Sequence, residues 1–256
     1  MPSMESCVIV YGKKIRTSNN GTKLEITNSD AKNLAKITDI KGLSKLKNLI
    51  ELRLFLNTIN AIEGLETLTN LQILKLSSNN IKVISGLEHL VNLQELWLDS
   101  NQIEEIRGFE NLCNLEYLRI VSNQISEIKG LDNLIKLNVL HLAKNRISVI
   151  KGLDTLANLK VLNLESNKIY DIKGLDSLQN LKRLYLSDNS ITEIKNLDNL
   201  VNLEELNLDN NQIPIIKGLG NLKRLRYITL EKNPLHKQYV SRIYTSEGYP
   251  LCIKFP

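Results

Sequence analysis

Leucine and isoleucine recur along most of this chain in one repeating order. The stretch Leu137-x-x-Leu140-x-Leu142-x-x-Asn145-x-Ile147-x-x-Ile150-x-Gly152-Leu153-x-x-Leu156 shows it in full. Leu140 and Leu142 alternate with variable residues, the period of a strand, which predicts a short strand of about three to five residues with one apolar face. Past Asn145 the apolar spacing becomes three, which predicts extended turns followed by a short 3₁₀ or α segment. Gly152 falls where the chain bends back and a Cβ would crowd it. The polar position inside this pattern is equally regular: Asn57, Asn79, Asn101, Asn123, Asn145, Asn167, Asn189, Asn211 and Asn233 stand 22 residues apart. A period of this length means one short unit stacked on copies of itself, each closing its core against the next.

The asparagine ends its strand, where the chain turns inside the stack and leaves backbone groups without ladder partners. A carboxamide offers two donors and an acceptor, so a row of them can serve the turns of successive units. Strands stack about 4.8 Å apart, while helical segments opposite need up to about 10 Å. The expected fold is therefore an α/β solenoid, curved, with a parallel sheet on its concave side and short 3₁₀ or α segments on its convex side. The register runs over residues 36–235, as nine regular copies plus a partial first. Residues 1–35 fall outside it, with Ala35 at the asparagine position. Val8–Tyr11 and Lys23–Ile26 read as two strands divided by a turn at Asn19–Gly21, forming an N-terminal β-rich cap. Residues 236–256 read as a cap helix and tail.

The pattern resembles the leucine-rich repeats, and among them the subclass with 22-residue units. The I-x-x-I-x-G-L stretch, as in Ile147 to Leu153, is most similar to the leucine-rich regulatory subunit of protein phosphatase 1. Leu230-Glu-Lys-Asn-Pro-Leu235, with Tyr239, Arg242 and Tyr249-Pro250-Leu251 after it, is similar to that regulator's C-terminal cap. The bacterial internalins share the repeat length but usually place proline near the glycine, and this chain has none there. The resemblance implies a protein-binding scaffold, with a phosphatase catalytic subunit among the partners it suggests.

Strand positions that are not leucine point out of the concave side and are free to encode a partner. The first row holds Glu51, Ile73, Glu95, Tyr117, Val139, Val161, Arg183, Glu205 and Tyr227. The middle row holds Arg53, Lys75, Trp97, Arg119, His141, Asn163, Tyr185, Asn207 and Thr229. The third holds Phe55, Ser77, Asp99, Val121, Ala143, Glu165, Ser187, Asp209 and Glu231. Ile73, Trp97, Tyr117, Val121, Val139 and Val161 are expected to form an apolar patch around the only tryptophan, with Lys75 and Arg119 beside it. Trp, Tyr and Arg are the types enriched at interface hot spots. Asp99, His141, Arg183 and Tyr185 extend the candidate partner-binding surface, and Glu205, Asp209 and Glu231 give it an acidic end. The middle row carries Arg53, Lys75, Arg119 and His141 where the phosphatase regulator is mostly acidic and aromatic.

The net charge of +5 is concentrated at the ends of the chain. Residues 223–256 carry seven Lys/Arg against two Asp/Glu, and residues 41–222 carry 20 against 22. A basic groove that tracks a nucleic-acid backbone is therefore not indicated. A basic row does run beside the glycines, at Arg107, Lys129, Lys151, Lys173, Lys195 and Lys217. An acidic row follows it, at Glu66, Glu88, Glu110, Asp132, Asp154, Asp176 and Asp198, and is expected to cap the turns and compensate the basic row. Binding of nucleic acid or an anionic surface through the basic row and C-terminal cap is the alternative to protein binding. Cys7, Cys113 and Cys252 are odd in number and far apart, which favours a reducing compartment. No apolar run suits a signal peptide or a membrane span. Phosphate-loop, H-E-x-x-H and C-x-x-C motifs are absent. The expectation is a monomeric, cytoplasmic or nuclear interaction scaffold, not an enzyme, with no cofactor, no metal and no small-molecule substrate.

Overall fold

The computed structural model describes residues 7–31, 33–235 and 252–254. They belong to two units, Met1–Gln124 and Ile125–Pro256. In the first unit, β1 (Cys7–Val10) and β2 (Lys13–Arg16) form an antiparallel hairpin with Cys7 opposite Arg16. Ile9 and Lys41 then exchange backbone hydrogen bonds of 3.0 and 2.9 Å, which fasten the hairpin to the first coil. β3 (Lys23–Glu25) pairs in parallel with β4 (Glu51–Arg53). Between them the Asp30 carboxylate reaches back over the start of α1 (Asn28–Ala31) and accepts from the Thr27 N–H and the Thr27 hydroxyl, both at 3.0 Å. The bond from the Thr27 N–H holds the Asp30 carboxyl below its ordinary range. β5 (Ile73–Lys75), β6 (Glu95–Trp97) and β7 (Tyr117–Arg119) continue the parallel sheet, one strand per coil and in register.

The N-terminal expectation is corrected here. A second strand, β2, intervenes, and the hairpin reverses at Tyr11 and Gly12, both with positive φ. Asn19–Gly21 is a 3₁₀ turn leading into β3, and β3 lies in the sheet itself.

The second unit repeats the arrangement with β8 (Val139–His141), β9 (Val161–Asn163), β10 (Arg183–Tyr185), β11 (Glu205–Asn207) and β12 (Tyr227–Thr229). All are parallel and in register. The backbone of β13 (Cys252–Lys254) pairs in parallel with β12. The expected C-terminal cap helix falls on residues 236–251, outside the described residues. Each unit is a parallel sheet wound as a solenoid.

The return path is not helical in the regular coils. Leu68 and Leu71 each close one bond to the residue three before, at 2.9 Å, as do Leu134 and Leu137. Such bonds come three residues apart and not in succession, because buried leucines must point inward at every third position. Ile37–Asp39 and Leu43–Lys45, in the partial first coil, are 3₁₀ helices. The central strand residue of every coil is a fully buried leucine or isoleucine, from Leu52 to Ile228. Phe109 takes a leucine position and is 1% exposed. Each such side chain contributes about 1.5–3 kcal/mol by leaving water.

The asparagines join neighbouring coils. Asn79 Nδ2 donates to Leu76 O at 2.9 Å in its own coil and to Leu54 O at 2.8 Å in the coil before. Its Oδ1 accepts from the Ile59 N–H at 2.9 Å. The set recurs along the ladder, as at Asn189, Asn211 and Asn233. Asn57 begins it, and its Oδ1 is buried without a donor. A second amide row acts on the return side: Asn70 donates to Lys47 O, Asn92 to Thr69 O and Asn158 to Ile135 O.

The residue before each ladder asparagine is left-handed, including Leu56, Ser78, Lys144, Asp188 and Lys232, with φ of 54 to 57°. A non-glycine residue there costs about 1–2 kcal/mol. Its N–H still continues the ladder, as Ser78 N–H does to Asp99 O at 2.8 Å. The glycine positions are left-handed too, and a Cβ on Gly174 would lie 2.5 Å from Ile150 O. Asn196 replaces glycine in the next coil at φ 57°, and its Nδ2 donates to Ile172 O at 2.6 Å.

Replacing Asn123 by leucine strands the Ile103 N–H, and leaves the Leu98 carbonyl to the Asn101 amide and the Val121 carbonyl to the Ser100 N–H. Asn123→Leu is expected to lower the free energy of unfolding by about 1–3 kcal/mol, the cost of one stranded buried donor. Denaturant unfolding measures it, and a variant as stable as the wild type contradicts the role given to the ladder. Gly174→Ala is expected to cost about 2–4 kcal/mol in the same assay, from the left-handed φ and the clash together.

Candidate functional site

The strands place alternate side chains on the face opposite the core. In the first unit the middle row is Arg53, Lys75, Trp97 and Arg119, each the direct parallel neighbour of the next. Trp97 is the hub. Its ring stacks on Tyr117 with centroids 6.1 Å apart and planes 28° from parallel. Lys75 Nζ lies 3.8 Å from the indole centroid and Arg119 Cζ 5.0 Å, so a cation flanks the ring on either neighbouring strand. Arg119 is fixed by Asp99, with Nε to Oδ2 at 2.7 Å, while Asp99 Oδ1 accepts the Val121 N–H at 2.8 Å. Lys75 pairs with Glu95 at 3.0 Å, and Arg53 pairs with Glu51 at 2.5 Å. Burial opposes the charge on Arg119, but hydrogen bonding to Tyr117 and the Asp99 carboxylate outweigh it and hold the guanidinium protonated more firmly than usual.

An open cavity of about 570 Å³ adjoins this group, between Phe55, Leu56, Lys75, Ser77, Trp97 and Val121. Two polar atoms near it, Trp97 Nε1 and Ser77 Oγ, are buried and have no hydrogen-bond partner. Ile73, Tyr117 and Val121 are half-buried beside the indole.

In the second unit Val139 and His141 are half-buried, and Val161 is only 6% exposed. Val161 therefore lies in the concave row between Val139 and Arg183 but is covered there, and does not extend an exposed apolar patch. Arg183 is exposed, and Tyr185 donates its hydroxyl to Glu205 at 3.1 Å. Burial first, and then the Glu205 carboxylate, push the Tyr185 phenol above its ordinary value. Asp209 Oδ1 accepts the Glu231 N–H at 2.7 Å, the same bond that Asp99 makes to Val121. The third row is thus not wholly free to vary, since Asp99 and Asp209 tie one strand end to the next. Glu231 is half-buried beside that bond.

The outer rows differ from expectation. The acids that compensate the basic row stand two residues before it, not three after. Lys151 and Lys129 meet Glu127 at 2.5 and 3.5 Å, and Lys217 and Lys195 meet Glu193 at 2.7 and 3.5 Å. Lys195 also meets Asp171 at 3.2 Å. The acidic row caps the bends instead, as Glu66 and Glu88 accept from the N–H groups of Gly64 and Gly86.

The family model for Leucine Rich repeats (2 copies) matches residues 69–111, 91–133, 135–177 and 179–216. The chain belongs to the leucine-rich repeat family. No curated protein sequence matches it significantly. Among solved structures, this repeat protein is similar to internalin C2 of Listeria monocytogenes, at 31% identity and a TM-score of 0.61, over 83% of this chain and 81% of that one. The functional domain of InlJ from the same organism, described as including a cysteine ladder, matches at 25% identity and a TM-score of 0.70 over 84% of this chain. The present repeats span only 45% of that InlJ chain. A structure of a TLR13–ssRNA13 complex matches at 26% identity and a TM-score of 0.71, over 81% of this chain and 31% of that one. Among the described residues no helix is long and apolar enough to cross a membrane.

Sequence reasoning missed Leu56, a 57% exposed leucine at the cavity rim. The available signal was that Leu56 holds the place before the asparagine where most coils have a polar residue.

The Lys151 and Lys217 ammonium groups hold the Glu127 and Glu193 carboxyls below their ordinary range, first by hydrogen bonding and then by charge. A depressed carboxyl favours the folded state above its unfolded pKa, and the benefit disappears as pH falls through the folded value. Lys151→Met and Lys217→Met should therefore move the two carboxyls back up, read by NMR titration. High salt should do the same to the wild type, since both pairs are exposed.

Proposed function

We propose that this leucine-rich repeat chain is an intracellular interaction scaffold. It binds a globular protein partner on the open face of its sheet, with Trp97, Tyr117 and Arg119 at the centre of the contact. The observation that carries this reading is the state of Trp97: a large ring on the side away from the core, stacked on Tyr117 and flanked by Lys75 and Arg119. Salt bridges to Asp99 and Glu95 hold those cations before any partner arrives. Side chains already ordered lose little freedom on binding. Aromatic and arginine anchors of this kind dominate the energetics of interfaces.

Within that class, the finer reading is a regulator of a serine/threonine phosphatase, suggested by the I-x-x-I-x-G-L stretches such as Ile147 to Leu153. Co-purification with a protein phosphatase 1 catalytic subunit, followed by a dephosphorylation assay, tests it. The alternative of nucleic-acid or anionic-surface binding is weakened by the outer row, where Lys129, Lys151, Lys195 and Lys217 already have carboxylate partners.

Affinity purification coupled to mass spectrometry, comparing the wild type with Trp97→Ala plus Arg119→Glu, is the direct test. The double substitution is expected to remove the specific partner, since loss of central anchors costs about 2 kcal/mol or more each. Recovery of the same proteins by both forms would refute the concave-face reading. Retention of nucleic acid at physiological salt, lost on neutralising Lys129, Lys151 and Lys173, would favour the alternative.

A further inference from the structure

The cavity beside Trp97 has a chemical bias beyond protein binding in general. Leu56 is left-handed, at φ 57°, and 57% exposed. The same place in other coils holds Ser78, Ser100, Ser122, Ser166, Asp188 and Asn210, with lysine at 144 and 232. Leu56 is thus the only apolar residue in that row, at a conformation leucine disfavours and in contact with water. Phe55 and Val121 line the same cavity and extend the apolar wall.

The charged groups that line the cavity are mostly cationic, and its remaining polar side chains are serine hydroxyls and the Trp97 N–H. Arg53, Lys75 and Arg119 line it, against one carboxylate, Asp99. Both Asp99 oxygens are already engaged, Oδ2 by Arg119 Nε and Oδ1 by the Val121 N–H. Arg53 and Lys75 have carboxylate neighbours in Glu51 and Glu95, which lie outside the lining. Trp97 Nε1 can only donate, and neither it nor Ser77 Oγ has a partner. A buried donor without an acceptor costs free energy that a ligand's acceptor would recover. Arg119 is fixed by Asp99, whereas Lys75 is held over the ring by an ion pair to Glu95 at 3.0 Å, which an incoming carboxylate can exchange. An arriving carboxylate can draw the ammonium off the indole and uncover its edge.

We propose that this cavity receives an acidic–apolar segment of a partner protein. An aliphatic or aromatic side chain of that segment seats against Leu56, Phe55 and Val121. The carboxylate of a neighbouring residue meets Lys75 and accepts from Trp97 Nε1. The assignment rests on the protein-binding reading and names the chemistry that its partner must carry. Peptide is favoured over nucleic acid because Leu56 and Val121 give the cavity an aliphatic wall, which suits an apolar side chain better than a base.

Trp97 is the only tryptophan, so its fluorescence reports on the cavity directly. The full chain is titrated with a capped hexapeptide of alternating glutamate and leucine, with its glutamine isostere, and with a form carrying serine for leucine. The glutamate–leucine peptide is expected to change the emission saturably. Each control should bind about tenfold more weakly or worse, the size expected for losing one charge-assisted contact or one buried side chain. Leu56→Ser, which installs the residue of Ser78 at the same φ, and Lys75→Met should each weaken binding about fivefold or more. Circular dichroism checks that both variants keep the sheet. An equal response to the glutamine peptide, no response to any peptide, an unchanged response in both variants, or preferential titration by a single-stranded oligonucleotide overturns the assignment. If Trp97 and Arg119 still govern partner capture while the peptide fails, the carboxylate chemistry alone is lost. If both fail, the underlying reading goes with it.

Discussion

Within each unit a buried side-chain amide ties successive coils at the point where the sheet ladder ends. At Asn101 the carboxamide donates to Leu98 O at 3.0 Å in its own coil and to Leu76 O at 3.0 Å in the coil before, and its Oδ1 accepts from Ile81 at 3.0 Å. These backbone groups lie where the strand has ended and the next turn has begun, so no sheet ladder can serve them. The group that satisfies them must be short, carry donor and acceptor together, and remain uncharged when nearly buried. Asparagine meets all three with two donors to give, whereas glutamine is longer, aspartate is charged and cannot donate, and a serine or threonine hydroxyl has a single donor. The rest of the coil follows from this. With the turn satisfied, the left-handed residue before the asparagine becomes tolerable, the strands stay in register, and the leucines meet in a dry interior.

The ladder was legible because both its elements are visible as residue types. Counting back from Asn79 or Asn167 placed each buried strand centre, and Leu74 and Leu162 are 0% exposed. What the sequence hid is conformation. Leu56, Ser100 and Lys232 share a positive φ but no chemistry, so their row is invisible as composition. The return path looked helical because apolar spacing of three suits a 3₁₀ helix, yet the same spacing serves isolated turns when every third residue must point inward. The chain turns at Asn19-Asn20-Gly21 as the sequence signals, but the hairpin turn at Tyr11-Gly12 was passed over because its turn signal is the weaker of the two.

The candidate site was legible as rows and illegible as depth. Trp97, Tyr117 and Arg119 came out as neighbours because parallel strands in register keep rows aligned. Val161 has the same row position as Tyr117, yet it is buried where Tyr117 is half-exposed. Asp99 and Asp209 also show that a variable position can still serve the scaffold, because an aspartate there fills a backbone bond that its counterparts leave to other groups. The pairing of Lys151 with Glu127 depended on the offset between coils, which single-coil spacing does not contain.

A chain whose side-chain amides reach only the adjacent coil has a mechanical character set by that reach. Within each unit, a pulling force applied at one end loads the outermost asparagine contacts first, and coils further in bear load only after those part. Each coil released frees 22 residues, about 70–80 Å of extended chain. Asn57, whose carboxamide oxygen has no donor, marks the weaker side of such a seam. The molecule behaves less like a block that ruptures than like a thread that pays out in even lengths.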